Sequence, residues 1–344
     1  MAGVARTTAE ARSRVITAVD YDRRGKQVAV LRVPQSRNDS GWGTVGIPIV
    51  VINNGSGPTF LLTGGTHGDE YEGPIALMNL ARALEPAQVQ GRMIVIPSLH
   101  LPAALAGTRL SPIDNRDLNR CFPGDPDGTF AFILADYVTR FLLPISDYNL
   151  DLHSGGRSMD FVVSTTSHVL DDRDRMARTL ELARAFGAPY HVVIREVDSS
   201  HTFMTTAERM GVVAISSELG GCNRVSIEGV AATERGVRNV LRRYGVLEGA
   251  IEAPPQPTRI VTVPDYDCYA FAPRAGLFQP YHPLGAAVRA GEPAGVLHAI
   301  EDPMRPAEVV RYGRDGVLWC TRGYARVREG DPVAVIICDY DDEG

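Results

Sequence analysis

His67 and Glu70 stand three residues apart in Leu61–Glu70 (LLTGGTHGDE), where an apolar run stops and a helical pattern starts. His153 ends a second apolar run, Tyr148–His153 (YNLDLH). Two imidazoles and one carboxylate form the ligand set of a catalytic zinc ion with one open coordination position. Water in that position has a pKa of about 7, so the chemistry expected of such a trio is hydrolysis. Asp151 lies two residues before His153, on the same side of the strand, and can hold one of its ring nitrogens. Asp69 and Glu72 are competing carboxylates, read here as negative charge at a helix N-terminus, where the dipole favours it. Glu218 follows the apolar run of Ile215–Gly221 (ISSELGG). A carboxylate beside a metal-activated water acts as general base and later as acid toward a leaving nitrogen.

A second group of polar residues falls in the long aperiodic stretch 99–128, which reads as a functional loop. In Asp114–Gly124 (DNRDLNRCFPG), Arg116 and Arg120 are donor forks and Asn119 adds an amide. Such a cluster suits a substrate carrying a carboxylate, which arginine binds in bidentate fashion. Lys26 is the only lysine, in a polar turn near the N-terminus. Schiff-base catalysis, a Walker-type phosphate loop and a lipoyl or biotin carrier therefore lack the lysine they need. Gly41–Gly46 (GWGTVG) matches a dinucleotide fingerprint in spelling, but a polar stretch precedes it and an apolar strand follows, the wrong setting. No GxSxG elbow of a serine hydrolase is present.

The elements needed to position these residues are legible in outline. Short β-rich runs at 27–33, 47–53, 59–62, 92–96, 148–153, 160–165, 191–194 and 212–216 alternate with helical patterns at 70–84, 130–143, 172–187, 202–210 and 228–244. That alternation predicts an α/β fold, a mostly parallel mixed sheet flanked by helices. Its strand ends are where ligands gather. The pattern changes at Glu248–Pro257 (EGAIEAPPQP). Beyond it, short runs broken by Gly and Pro predict a small all-β module. The expected organisation is an α/β unit over 1–250, with an N-terminal β segment at about 25–55, and a C-terminal β module over 258–344.

The chain has 344 residues, of which 44% are hydrophobic and 22% charged, as in an ordinary soluble protein. A formal net charge of -6 gives no footprint for nucleic acid or anionic membrane. No apolar run approaches the ~20 residues that span a bilayer. The N-terminal stretch has basic residues but no apolar core of a secretory signal. Five cysteines at irregular spacing, without CxxC, argue against a disulfide framework and for a reducing cytoplasm.

The motifs HGDE, DLNRCFPG, NLDLHSG and SELGG, in that order, resemble the succinylglutamate desuccinylase/aspartoacylase family of zinc amidohydrolases, relatives of the zinc carboxypeptidases. The resemblance covers about residues 25–340. It implies one zinc ion on His67, Glu70 and His153, with Glu218 as general base. It also implies an Asn119–Arg120 clamp for a substrate carboxylate, Asp117 ahead of that clamp, and Arg109 as the residue that polarises the carbonyl. It implies a C-terminal β module like a biotinyl/lipoyl barrel, here without a carrier lysine and expected to wall one side of the substrate pocket. Within the family, Ser40–Leu77 is similar to the branch that deacetylates N-acetyl-2,4-diaminobutyrate in ectoine degradation. The expected activity is therefore hydrolysis of a small N-acyl amino acid, with that substrate first. The alternatives are a succinyl, aspartyl or other N-acyl substrate, a carboxypeptidase-like activity, or a zinc-stabilised binding protein without turnover. Self-association into a homo-oligomer is left open.

Overall fold

A computed structural model of the chain describes residues 13–195 and 200–340. The N-terminal stretch read above for a secretory signal, and both outer ends of the two expected units, lie outside the described residues.

The first two described strands, β1 (Gly25–Pro34) and β2 (Thr44–Asn53), are long, antiparallel and paired at all ten positions. Three strands follow in the order β3 (Thr59–Gly64), β4 (Arg92–Ile96) and β5 (Tyr148–Leu152). Next come β6 (Met159–Phe161), β7 (Ser164–His168), β8 (Tyr190–Ile194), β9 (Val213–Glu218) and β10 (Arg259–Val263). In space the order is β1-β2-β4-β3-β5-β9-β7-β8-β10. From β4 to β10 every neighbour is parallel except β9 with β7. Parallel strands need crossovers, and helices supply them. These are α1 (Glu72–Ala83), α2 (Leu101–Ala106), α3 (Phe130–Tyr137), α4 (Arg173–Phe186), α5 (Phe203–Arg209) and α6 (Ile227–Arg243).

The helices divide between the two faces of the sheet. Leu77 and Leu80 of α1, Leu182 and Phe186 of α4, and Val237 and Val240 of α6 pack with Phe60, Leu62, Leu150 and Ile215. Phe130 and Leu134 of α3 and Phe203 of α5 pack with Leu61, Ile94 and Ile96 on the other face. Phe60, Leu61 and Leu62 thus alternate between two cores, as the two-residue period of a strand demands. With both faces covered, β3 is buried at every position. The fold class read from the alternating pattern is the one observed.

Beyond residue 263 the strands are β11 (Tyr269–Phe271), β12 (Gly276–Pro280), β13 (Ala287–Val288), β14 (Pro293–His298), β15 (Glu308–Arg311), β16 (Gly316–Arg322), β17 (Arg326–Val327) and β18 (Pro332–Asp339). Four of them form a separate antiparallel sheet, β15-β14-β12-β17, over a core that includes Phe278, Leu297 and Val310. The large sheet does not stop at β10. β18 pairs antiparallel with β10, β16 with β18, and β6 with β16.

Three local expectations are revised. The single strand expected over 160–165 is two strands, because Phe161 pairs with Cys320 while Ser164 pairs with Glu218 and Tyr190. The stretch 99–128 carries the short helix α2 and a 3-10 turn at Leu118–Arg120. Arg259–Val263, in the stretch expected to open the β module, runs parallel to β8 in the large sheet.

Candidate active site

β3 and β5 lie side by side, with Gly64 opposite Leu152. The segments leaving their ends therefore emerge together, which brings His67 and Glu70 to His153. The turn carrying His67 runs close to α2. A Cβ on Gly68 would sit 1.9 Å from the Ala103 carbonyl carbon, so only glycine fits there. All three side chains are buried, and their ligand atoms lie within 4.8 Å of one another.

The ring nitrogens are sorted by their partners. His153 Nε2 meets Asp151 Oδ2 at 2.7 Å and His67 Nε2 meets Asp117 Oδ1 at 3.0 Å. Each carboxylate holds its imidazole with the proton on Nε2 and the Nδ1 lone pair inward. Thr63 and Thr66 donate their hydroxyls to Asp151 Oδ1, at 2.7 and 2.9 Å, so that carboxylate is itself held. The two Nδ1 atoms face each other at 3.2 Å, and the Glu70 carboxylate lies 2.7 Å from one and 2.8 Å from the other. Two inward lone pairs this close repel unless a positive charge lies between them. The residues fit a divalent cation: two nitrogens, one carboxylate, and outer carboxylates that fix the ring orientation.

Without a cation, the same carboxylates favour a proton on the ring instead. Burial disfavours charge on His153, yet Asp151 and Glu70 outweigh it and raise its pKa well above the usual value. Burial likewise opposes ionisation of Glu70, but His67 and His153 hold its carboxyl far below the ordinary range. Glu218 behaves oppositely. Burial, then the charge of Glu70, push its carboxyl up to about 8. Its Oε2 is sealed from solvent and has no hydrogen-bond partner. Glu218 lines the same cavity as the trio, where a carboxylate can serve as base toward a water.

The trio opens into a cavity of about 680 Å³, lined also by Glu218, Arg109, Asn119 and Arg120. Arg109 donates to Asp117 Oδ2 from Nε at 3.1 Å, with Nη2 of the same fork 3.0 Å away, and its Nη1 lies 3.9 Å from Glu70 Oε1. Asp117, expected beside the substrate clamp, has its carboxylate taken up by His67, Arg109 and the Asn119 backbone N–H. Asn119 accepts the Phe203 N–H on Oδ1 at 2.9 Å, which leaves its amide nitrogen for a ligand. Arg120 is exposed and lines the cavity. Arg116 is not in the cavity wall; its guanidinium lies over the Phe132 ring, 6.0 Å from the centroid.

The opposite wall comes from far along the chain. Phe161 and Trp319 meet at 4.8 Å, and both line the cavity with Cys320 and Val335. Trp319 Nε1 donates to Ser164 Oγ at 2.9 Å, and Ser164 is the β-partner of Glu218. None of these apolar residues stands out in the sequence. The alternation in Val317–Thr321 marks a strand but not its neighbour.

Comparison with known proteins decides the family. Residues 56–244 match a family model described as the succinylglutamate desuccinylase/aspartoacylase catalytic domain. The chain belongs to the succinylglutamate desuccinylase/aspartoacylase family. It is 45% identical over 325 residues to the N-alpha-acetyl-L-2,4-diaminobutyric acid deacetylase of Halomonas elongata, covering 94% of this chain and 95% of that one. Among solved structures, the family member from Rhodobacter sphaeroides superposes with a TM-score of 0.93 at 50% identity, covering 96% of this chain and all of that one. The product-bound ectoine utilization protein EutE (DoeB) from Ruegeria pomeroyi superposes at 0.92 with 41% identity, covering 95% and 99%. The family anticipated from four short motifs is the family found. No described helix is long and apolar enough to cross a membrane.

Proposed function

We propose that the chain is a zinc-dependent deacetylase that cleaves N-alpha-acetyl-L-2,4-diaminobutyrate to 2,4-diaminobutyrate and acetate, as in ectoine degradation. The observation that carries the chemistry is the pair of facing Nδ1 atoms with Glu70 beside them, next to the unpaired oxygen of Glu218. A relative named for this deacetylation, 45% identical, and an ectoine utilization protein, 41% identical, each matched over nearly the whole chain, support the substrate.

His67, Glu70 and His153 would hold the ion. Bound there, zinc supplies Lewis acidity, lowering the pKa of a coordinated water and polarising the acyl carbonyl. Glu218 takes the proton from the attacking water and returns it to the departing amine. Burial and Glu70 push its carboxyl up to about 8, so the opposing charge of the cation is what would hold it in the ionised form a base needs. Arg109 offers Nη1 to the developing oxyanion while Asp117 fixes its fork. Asn119 and Arg120 anchor the α-carboxylate. Asp117 acts in this scheme by orienting His67 and Arg109, and Arg116 has no assigned contact. The apolar wall of Phe161 and Trp319 excludes water from the reacting centre. A reducing cytoplasm fits the five free cysteines.

The test is a panel of N-acetyl, N-succinyl and N-formyl amino acids, assayed for free amine with zinc-loaded protein. Acetyl-diaminobutyrate should be cleaved best. Better cleavage of a succinyl or aromatic acyl substrate would overturn the substrate and leave the zinc chemistry standing. No cleavage of any member would favour a zinc-stabilised binding protein.

A further inference from the structure

Glu72 is the first residue of α1, where a glutamate normally faces water and interacts with the helix dipole. Here its relative exposure is 0%, and it does not line the cavity. A buried carboxylate is costly unless its oxygens are satisfied. Both oxygens of Glu72 are used, by groups from two other parts of the chain. Oε2 accepts the Ser154 hydroxyl, and Oε1 accepts the Ser226 backbone N–H at 2.7 Å.

We propose that Glu72 is a positioning residue that fixes the metal ligand Glu70 and the base Glu218 relative to each other, through Ser154 on one side and Ser226 on the other. The inference rests on the site assignment made above.

Each arm reaches a functional group in one further step. Ser154 follows His153 directly, and its N–H donates to Glu70 Oε2 at 3.2 Å. Holding the Ser154 hydroxyl therefore holds the donor that orients the Glu70 carboxylate. Ser226 caps α6, its Oγ accepting the Gly229 N–H at 2.9 Å. Between Glu218 and Ser226 the chain passes through four consecutive residues with positive φ: Gly220 (130°), Gly221 (157°), Cys222 (57°) and Asn223 (54°). A cysteine and an asparagine keep that conformation only where the surroundings impose it. Cys222 N–H donates to Met159 O and Asn223 N–H to Gly156 O, and Glu72 pins the far end of the loop at Ser226. The packing is tight. A Cβ on Gly220 would lie 2.8 Å from Ser226 Cβ and 3.3 Å from Glu72 Oε1.

If Glu72 is truncated, Ser226 loses its acceptor and Ser154 its anchor, so the base and the ligand relax independently. Asn119 and Arg120 sit on another segment, so substrate affinity should be spared. Glu72→Ala should lose about 10–100-fold in kcat and in zinc affinity, the usual cost of an outer-shell partner, with KM little changed. Glu72→Gln should recover most of both. Its amide oxygen still accepts from Ser226, and its amide nitrogen can donate to the Ser154 hydroxyl, which accepts as well as donates. Ser154→Ala cuts only the metal arm and should weaken zinc binding by about tenfold.

The experiment measures zinc affinity by chelator competition, together with kcat, KM and melting temperature, in wild type and the three variants. A graded loss in the order Glu72→Ala, Ser154→Ala, Glu72→Gln, at unchanged KM, supports the role. Wild-type zinc affinity and kcat in folded Glu72→Ala overturns it. If that variant does not fold, wild-type zinc affinity in Ser154→Ala overturns it instead. A wild-type protein that binds no zinc would remove the site assignment itself, a result distinct from either.

Discussion

Two of the places where the large sheet buries imidazoles do so by opposite chemistry. In one, His67 and His153 are backed by carboxylates on Nε2 and turn their Nδ1 atoms toward each other and Glu70. In the other, His191 on β8 is fully buried between two hydroxyls, Thr165 Oγ1 at 2.9 Å and Ser167 Oγ at 3.0 Å. The pKa of His153 is raised, whereas burial, then Arg184, lowers that of His191 to about 3. Burial acts on both in the same direction, so it cannot be what distinguishes them. The difference is the partner. A carboxylate favours positive charge on the ring and creates a place for a cation; a hydroxyl satisfies a neutral ring and makes it part of the core.

The largest effect expected from this contrast is on the ligands. His67→Ala, Glu70→Ala and His153→Ala should each abolish bound zinc and turnover, while His191→Asn should keep wild-type zinc content. Metal analysis of purified variants decides it. Full zinc occupancy in any ligand variant, or loss of zinc in His191→Asn, would erase the distinction.

Glu218→Gln should come next. The amide keeps the shape but cannot take a proton, so zinc should remain while kcat falls by roughly 10²–10⁴-fold. A loss smaller than about tenfold would take Glu218 out of the mechanism.

Asp151→Asn tests the outer carboxylate directly. It should weaken zinc binding by about 10–100-fold, because the amide no longer stabilises the ring orientation and charge that the site uses. An unchanged dissociation constant would mean that ring geometry is set by packing alone.

The last contrast, with no effect on turnover, is in the pH-dependent stability of the metal-free protein, where the two regions should pull apart. The folded pKa of His191, about 3, lies below its ordinary 6.5, so the unfolded chain binds the extra proton. Its contribution is complete above 6.5 and is lost as pH falls toward 3, at about 1.4 kcal/mol per pH unit. His153 has the opposite sign. Its contribution is complete below 6.5 and is lost as pH rises through its raised folded value. Chemical denaturation across pH should show His191→Asn flattening the acid limb and Asp151→Asn flattening the basic one.

Part of the site is legible in the sequence. His67, Glu70, His153 and Glu218 follow apolar runs, and strand ends in an α/β sheet are where ligands collect, so local pattern makes them candidates and the order of the motifs joins them. The clamp proposed at Asn119 and Arg120 is visible as a cluster of donors in an aperiodic stretch. The role of Asp117 is not, because nothing in DLNR says that its carboxylate turns back to His67, fifty residues upstream. Arg116 carries the same charge as Arg120 four residues away, and only the turn at Leu118–Arg120 separates the one facing the cavity from the one over Phe132. Glu72 has the sequence setting of an ordinary helix-start charge, and only its burial and its two serine partners set it apart.

The sequence by itself determined the kinds of element, the donor set and the family, since periodicity, residue type and motif order are properties of short segments. The tertiary structure decided which nitrogen of each histidine faces the site, and it added Asp117 behind His67 to the Asp151 already read behind His153. It also brought Trp319 against Phe161 and Ser164, some 155 residues apart along the chain, to close the pocket. Those contacts depend on register and strand order across the whole sheet, and a pairing between distant segments leaves no periodic trace in either one.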